Sequence, residues 1–266
     1  MKNILLLIHD DVGQDSRLQA AIDLTRALDA HLSCIDISIL PTFLGDYCDA
    51  GAGVAMVLEE ECKRESKNKP AVERRLLQEG LSWDWIDFTG TLAEGVQEAA
   101  TLADLIVLNR ALDEFPYPDM RDVASRILMH THKPIVAVPD ALEHFALDRA
   151  LIAWDGHRST AAAMQASVPL LALAKEVEIF MVRDGAEEIA PENAAEYLAR
   201  YGISASVKVI DDGLHPADDL IASESARWRA DYIVMGAYGH GRLVETFGGV
   251  TKRMLAQSKL PLVLAH

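Results

Sequence analysis

Asp231-Tyr-Ile-Val-Met235 runs directly into Gly236-Ala-Tyr-Gly239-His240-Gly241-Arg242-Leu-Val-Glu-Thr-Phe-Gly248-Gly249-Val250-Thr251 near the end of the chain. The first segment is short and mostly apolar, the pattern of a strand buried on both faces. From Thr251 to about Ser258 the residues suit a helix. Clustered glycines between a strand and a helix leave bare backbone N–H groups at the positive end of a helix dipole, an arrangement that holds phosphate without a lysine.

The same pattern occurs earlier. Ala103-Asp-Leu-Ile-Val-Leu-Asn109 matches Ala230-Asp-Tyr-Ile-Val-Met-Gly236, and Asn3-Ile-Leu-Leu-Leu-Ile-His9 matches Arg149-Ala-Leu-Ile-Ala-Trp-Asp155. The segment Ser125-Arg-Ile-Leu-Met-His-Thr-His-Lys-Pro-Ile-Val-Ala-Val138 matches the chain's end from Thr251 to Leu264 within one residue. The first copy is longer, and its extra residues fall between Leu40 and Arg74, where Gly45, Gly51, Gly53 and a charged helical run occur. In the second copy strands are expected at 150–154, 177–182, 204–210, 232–235 and 261–264. Helices are expected at 159–173, kinked at Pro169, at 191–201, ended by Gly202, at 216–229 and at 251–257. Alternating strands and helices imply parallel pairing with right-handed crossovers. The expected fold class is therefore α/β, with two doubly wound, parallel, five-stranded, Rossmann-like sheets. The expected domains are 1–143, with an insertion near 40–74, and 148–266.

Composition narrows the function. The 266 residues are 50% hydrophobic and 25% charged, ordinary for a globular protein. A formal net charge of −16 disfavours nucleic acid, whose phosphates repel an acidic surface. The apolar start breaks off at His9-Asp10-Asp11, too soon for a signal or a membrane span, so a cytoplasmic protein without a membrane partner is expected. Cys34, Cys48 and Cys62 form no CxxC pair and fit reduced thiols better than a disulfide framework. His9, His130, His132, His157 and His215 lack ligand spacing, so no metal held by protein groups is expected. Neither a Gly-x-Ser-x-Gly elbow nor a Walker A Gly-Lys-Ser/Thr is present, and the glycine spacing differs from Gly-x-Gly-x-x-Gly.

These residues resemble the universal stress protein (UspA) family in its tandem two-domain form, which belongs to the adenine nucleotide alpha hydrolase-like folds. ATP-binding members carry Gly-x-x-Gly, nine residues, then Gly-Ser or Gly-Thr. Gly236 and Gly239 match the first pair. Nine residues on stands Gly249, followed by Val250; setting Gly248-Gly249-Val250-Thr251 on the family's Gly-Ser-Val-Thr instead shortens the spacer by one. The resemblance also implies an aspartate at the end of the first strand, near adenine and ribose, a place held by Asp155. It implies backbone contacts to adenine around Met181 and Val182.

The resemblance thus implies binding of ATP, or of AMP or ADP, in the second copy, with Mg²⁺ carried in on the phosphates. Arg242 and His240 are either phosphate contacts or solvated loop residues; Gly241 lies between them. Asp155 is either a site carboxylate or a helix cap. The first copy has His9 at the aspartate position and Asn109, then Arg110-Ala-Leu-Asp-Glu-Phe-Pro-Tyr-Pro, in place of the glycine loop, which implies a degenerate site. Single-domain members pair through their last strands, so an intrachain pseudo-dimer is implied, with a homodimer left open. A scaffold without nucleotide and a slow ATP hydrolase are the alternative functions; no catalytic residue is evident.

Overall fold

The structure, a computed structural model, describes residues 1–39, 50–110, 118–183, 185, 187–237 and 249–266. The first half runs β1 (Asn3–Ile8), α1 (Gln14–Leu28), β2 (His31–Ile39), α2 (Ala50–Glu79), β3 (Trp83–Gly90), α3 (Leu92–Ala99), β4 (Leu105–Asn109), α4 (Met120–Thr131) and β5 (Ile135–Val138). The second runs β6 (Arg149–Trp154), α5 (Arg158–Ala166), α6 (Val168–Leu171), β7 (Glu176–Val182), α7 (Pro191–Ala199), β8 (Ala205–Ile210), α8 (Ala217–Trp228), β9 (Tyr232–Gly236), α9 (Gly249–Gln257) and β10 (Leu262–Ala265).

All ten strands lie in one sheet, in the order β3-β2-β1-β4-β5-β10-β9-β6-β7-β8. Each half has the expected five parallel strands in doubly wound order, and the two sets join through their last strands, β5 and β10, which pair antiparallel. Apolar residues alternate along each strand between two cores. On β1, Ile4, Leu6 and Ile8 join one and Leu5 and Leu7 the other. Side chains from α1, α2, α5 and α7 cover the first face, and side chains from α3, α4, α8 and α9 the second.

The repeated Ala-Asp-x-Ile-Val motif has a structural cause. The Asp104 carboxylate accepts the backbone N–H groups of Lys2 (2.6 Å) and Asn3 (3.0 Å). Asp231 accepts that of Arg149 at 2.8 Å. Each aspartate pins the start of a central strand to its neighbour.

Two expectations are refined. The helix expected over 159–173 is two helices, broken at Ser167, and Pro169 sits in the first turn of α6, where a missing N–H costs nothing. The charged run lies in α2, a helix of 30 residues against 9 for α7 at the same place in the second half; it contains Pro70 and packs Val72 and Leu76 into the first core.

Beside β7, the carboxyls of Glu178 and Glu224 meet Lys208 and Arg227. Burial, and then the Glu224 carboxylate, push Glu178 up to about 7. The hydrogen bond from Arg227, helped by Lys208, holds Glu224 down at about 2. A carboxyl raised in the folded state keeps its proton where the unfolded chain has lost it, so its contribution falls as pH climbs from about 4.5 to about 7. The stabilisation from Glu224 is present above about 4.5 and is lost as pH falls toward about 2, outside that window. Glu178→Gln is therefore expected to gain stability relative to the parent as pH rises from roughly 5 to 8, measured by urea unfolding. A difference that stays constant across that range would refute the assignment.

Candidate functional site

The sheet order reverses between β6 and β9, and a doubly wound sheet opens a crevice at the carboxyl ends of such strands. Here the crevice has a volume of about 290 Å³. Phe180 and Val182 of β7, Met235 of β9 and Ala217 and Ile221 of α8 make its apolar lining. Asp155, Thr160, Gly236 and the first turn of α9 (Gly249, Val250 and Thr251) make its polar side. No Lys or Arg lines it among the described residues.

The chain leaves β6 through a turn that fixes Asp155. Trp154 is buried and its indole N–H donates to the Ile189 carbonyl at 3.0 Å. Gly156 has φ +75°, and a Cβ there would meet Glu187 Cβ at 2.8 Å, so glycine is required twice over. Asp155 Oδ1 accepts the His157 N–H at 2.9 Å and the Thr160 hydroxyl. Asp155 is not the cap of α5, a place held by His157; its Oδ1 braces the start of that helix, and the residue lines the crevice.

Asp155, Val182, Gly236, Gly249, Val250 and Thr251 all line the crevice. Met181 does not: its side chain is buried in the core on the opposite face, as the strand's period requires. Gly239, His240, Gly241, Arg242 and Gly248 lie outside the described residues. Sequence reasoning missed Thr160, Phe180, Ala217 and Ile221. Their pattern is that of ordinary core-facing strand and helix residues, and only the fold brings them to one crevice.

Gly236 has a packing role. A Cβ on it would lie 2.9 Å from the Thr160 backbone nitrogen and 2.8 Å from its hydroxyl. The start of α5 rests directly on this strand end. Thr251 adds a second tie, its hydroxyl donating to the Gly236 carbonyl at 3.1 Å.

The corresponding end of β1 is built differently. His9 is fully buried, with Nδ1 at 2.9 Å from Glu65 Oε1 and 3.6 Å from Glu61 Oε1. Glu65 also accepts the Asp10 N–H at 3.1 Å, and the Gln14 and Asn68 amides exchange hydrogen bonds of 2.8 and 2.6 Å. Burial alone raises the Glu65 carboxyl, but the bonds from His9, Asp10 and Asn68 outweigh it and hold it below its ordinary value. Helix α2 thus sets two of its carboxylates against the end of β1. Asn109, at the place of Gly236, is buried; residues 111–117 lie outside the described residues.

Gly236→Ala is expected to destabilise the protein by about 1–3 kcal/mol through overpacking against the Thr160 backbone. Thermal unfolding checks this. Adding Thr160→Ala and Ser159→Ala should not restore the loss, since the nearest obstacle includes a main-chain atom; full restoration would count against the packing role.

No family model matches the chain, and no curated protein matches it in sequence. Solved structures do. A universal stress protein from Archaeoglobus fulgidus DSM 4304 superposes with a TM-score of 0.74 at 16% identity, over 99% of this chain and 97% of that one. A protein assigned as a universal stress protein from Pseudomonas aeruginosa UCBPP-PA14 gives 0.60 at 17% identity, over 100% and 93%. The cytoplasmic domain of a prokaryotic cation chloride cotransporter gives 0.52 at 10% identity, over 99% and 95%. The likeness runs through both halves of the sheet and establishes the fold: that of universal stress proteins, in tandem along one chain.

Proposed function

We propose that the chain is a tandem universal stress protein that binds an adenine nucleotide in the crevice of its second half. The observation that carries this reading is the convergence of Asp155 and the N-terminus of α9 on one apolar crevice at the topological switch point. The base lies against Phe180, Val182 and Ile221. Asp155, through the oxygen not committed to α5, accepts from the ribose or the adenine amine. The phosphates lie at the start of α9, where free N–H groups and the helix dipole favour an anion. By sequence, the segment 239–248 adds further glycine amides and the cationic candidates His240 and Arg242. ATP is the fullest match to the loop, AMP and ADP being shorter versions of the same ligand, and Mg²⁺ enters on the phosphates.

In this reading residues 1–143 and 148–266 are two domains docked as a pseudo-dimer through β5 and β10, the partnership that single-domain members make between chains. The first domain is the degenerate partner, with His9 and Asn109 at the places of Asp155 and Gly236. The protein is cytoplasmic and acts by switching on nucleotide occupancy. Without a lysine among the described lining residues, and with no evident water-positioning base, hydrolysis is at most slow. A scaffold role without nucleotide is the second reading, favoured by one observation: Gly236 has a packing reason to be glycine that needs no ligand.

Equilibrium dialysis of the full chain with labelled ATP and AMP tests the proposal. One nucleotide per chain is expected. Asp155→Asn should weaken it about tenfold, the worth of one good hydrogen bond of about 1.4 kcal/mol. Val182→Trp should fill the crevice and abolish it. No retention by the folded parent at millimolar nucleotide would end the nucleotide reading and leave the scaffold.

A further inference from the structure

The side chains at the end of β1 invite a second question. His9, Glu61 and Glu65 are buried, and each offers one ligand atom within 4.8 Å of the other two. Glu61 and Glu65 stand four residues apart on α2, so both carboxylates project from one helix face toward the strand end. The separations from His9 Nδ1, 2.9 Å to Glu65 and 3.6 Å to Glu61, bracket about 3.4 Å. That is the edge of a tetrahedral site whose metal–ligand bonds are about 2.1 Å.

Two buried carboxylates side by side need a cation. In this structure the Arg64 guanidinium supplies it, with Nη2 at 2.8 Å from Glu61 Oε2, 3.5 Å from Glu65 Oε1 and 3.0 Å from His9 Nε2. A guanidinium can only donate, so Nε2 accepts and the His9 proton is on Nδ1. Arg64 is also the most exposed member: its side chain is 31% accessible, against 0% for His9, 7% for Glu61 and 3% for Glu65. It enters from the solvent side and can leave the same way.

We propose that His9 Nδ1, Glu61 and Glu65 form a site for a divalent transition metal of the zinc class, and that Arg64 stands in for the ion in the metal-free protein. One imidazole with two carboxylates and no thiolate suits Zn²⁺, Mn²⁺ or Fe²⁺ better than a soft monovalent ion. On binding, Arg64 swings out, the ring proton moves from Nδ1 to Nε2, and the metal takes the Nδ1 lone pair. The histidine is neutral in both states, so no proton is released by the ring. Three protein ligands leave a fourth position for water. The bond from Glu65 to the Asp10 N–H already orients one ligand carboxylate. The metal ties α2 to the end of β1.

The test uses the full chain, stripped with a chelator and titrated with ZnCl2 and separately with MnCl2 by calorimetry, with Co²⁺ absorption as a reporter of four-coordinate geometry. One ion per chain is expected. His9→Gln, Glu61→Gln and Glu65→Gln should each weaken binding at least tenfold. Arg64→Ala should tighten it, because the competing cation is gone; this variant carries the distinction if a ligand variant fails to fold. A mere ion-pair cluster behaves oppositely, with no metal bound by either the parent or Arg64→Ala. That result overturns the proposal, as does binding that survives all three ligand substitutions, or binding that Arg64→Ala weakens.

Discussion

Three cross-strand pairs join the halves of this molecule: Leu262 with Ala137, Val263 with Val136, and Leu264 with Ile135. Every other feature depends on that short antiparallel seam. The last strand of either half alone would be a buried apolar edge, all four residues of each being buried, with a row of unpaired backbone groups. Pairing the two edges satisfies those groups and makes both cores continuous across the seam: Val136 and Val263 lie on one face, and Ile135, Ala137, Leu262 and Leu264 on the other. Because the pairing is antiparallel while each half is parallel, the carboxyl ends of the two sets of strands point in opposite directions. The crevice at Asp155 and the cluster at His9 therefore lie at opposite ends of the sheet.

Two copies of one pattern have kept their frame and diverged at these ends. The frame is held by Asp104 and Asp231, which make the same ties to the start of the central strand. At the strand ends the two halves pack differently. In the second half the glycine is on the strand, Gly236, pressed against the Thr160 backbone nitrogen. In the first the strand carries Asn109, and a Cβ added at Gly13 would make only an ordinary 3.7 Å contact with it. The glycine's place is therefore a packing record as well as a ligand signal, and the two cannot be separated from the residue alone.

The fold was legible in the sequence because its signals are local and repeated. Apolar runs such as Ala150 to Trp154, and Gly202 with φ +76° after α7, state their structure within a few residues. The fusion into one sheet was less so. Nothing in Ile135–Val138 says which edge it seeks, and the last-strand docking rested on family resemblance alone. At the crevice, Asp155, Gly236 and Thr251 could be named because they sit at element boundaries, where periodic pattern gives way to chemistry. Phe180 and Ile221 could not, since a strand residue and a helix residue facing a crevice carry the same period as those facing a core. The cluster at His9 was harder still. Its partners are more than fifty residues away on an inserted helix, and a charged helix has many carboxylates of which the fold selects two.

Among the described residues, the asymmetry of the halves is plainest in α2, 30 residues long against 9 for α7. At the end of β1 His9 stands in place of an aspartate. It offers an imidazole whose Nδ1 faces acids while Nε2 accepts from Arg64. Helix α2 brings them, and the cost of burying two carboxylates is met locally by Arg64, by the Asp10 amide and by Asn68. The carboxylate of Glu65 thus takes the backbone N–H that the turn after β1 presents, much as a bound anion would. The first half thus satisfies the polar groups at its strand end from within the chain, and the continuous sheet sets this cluster at the far end from the crevice at Asp155.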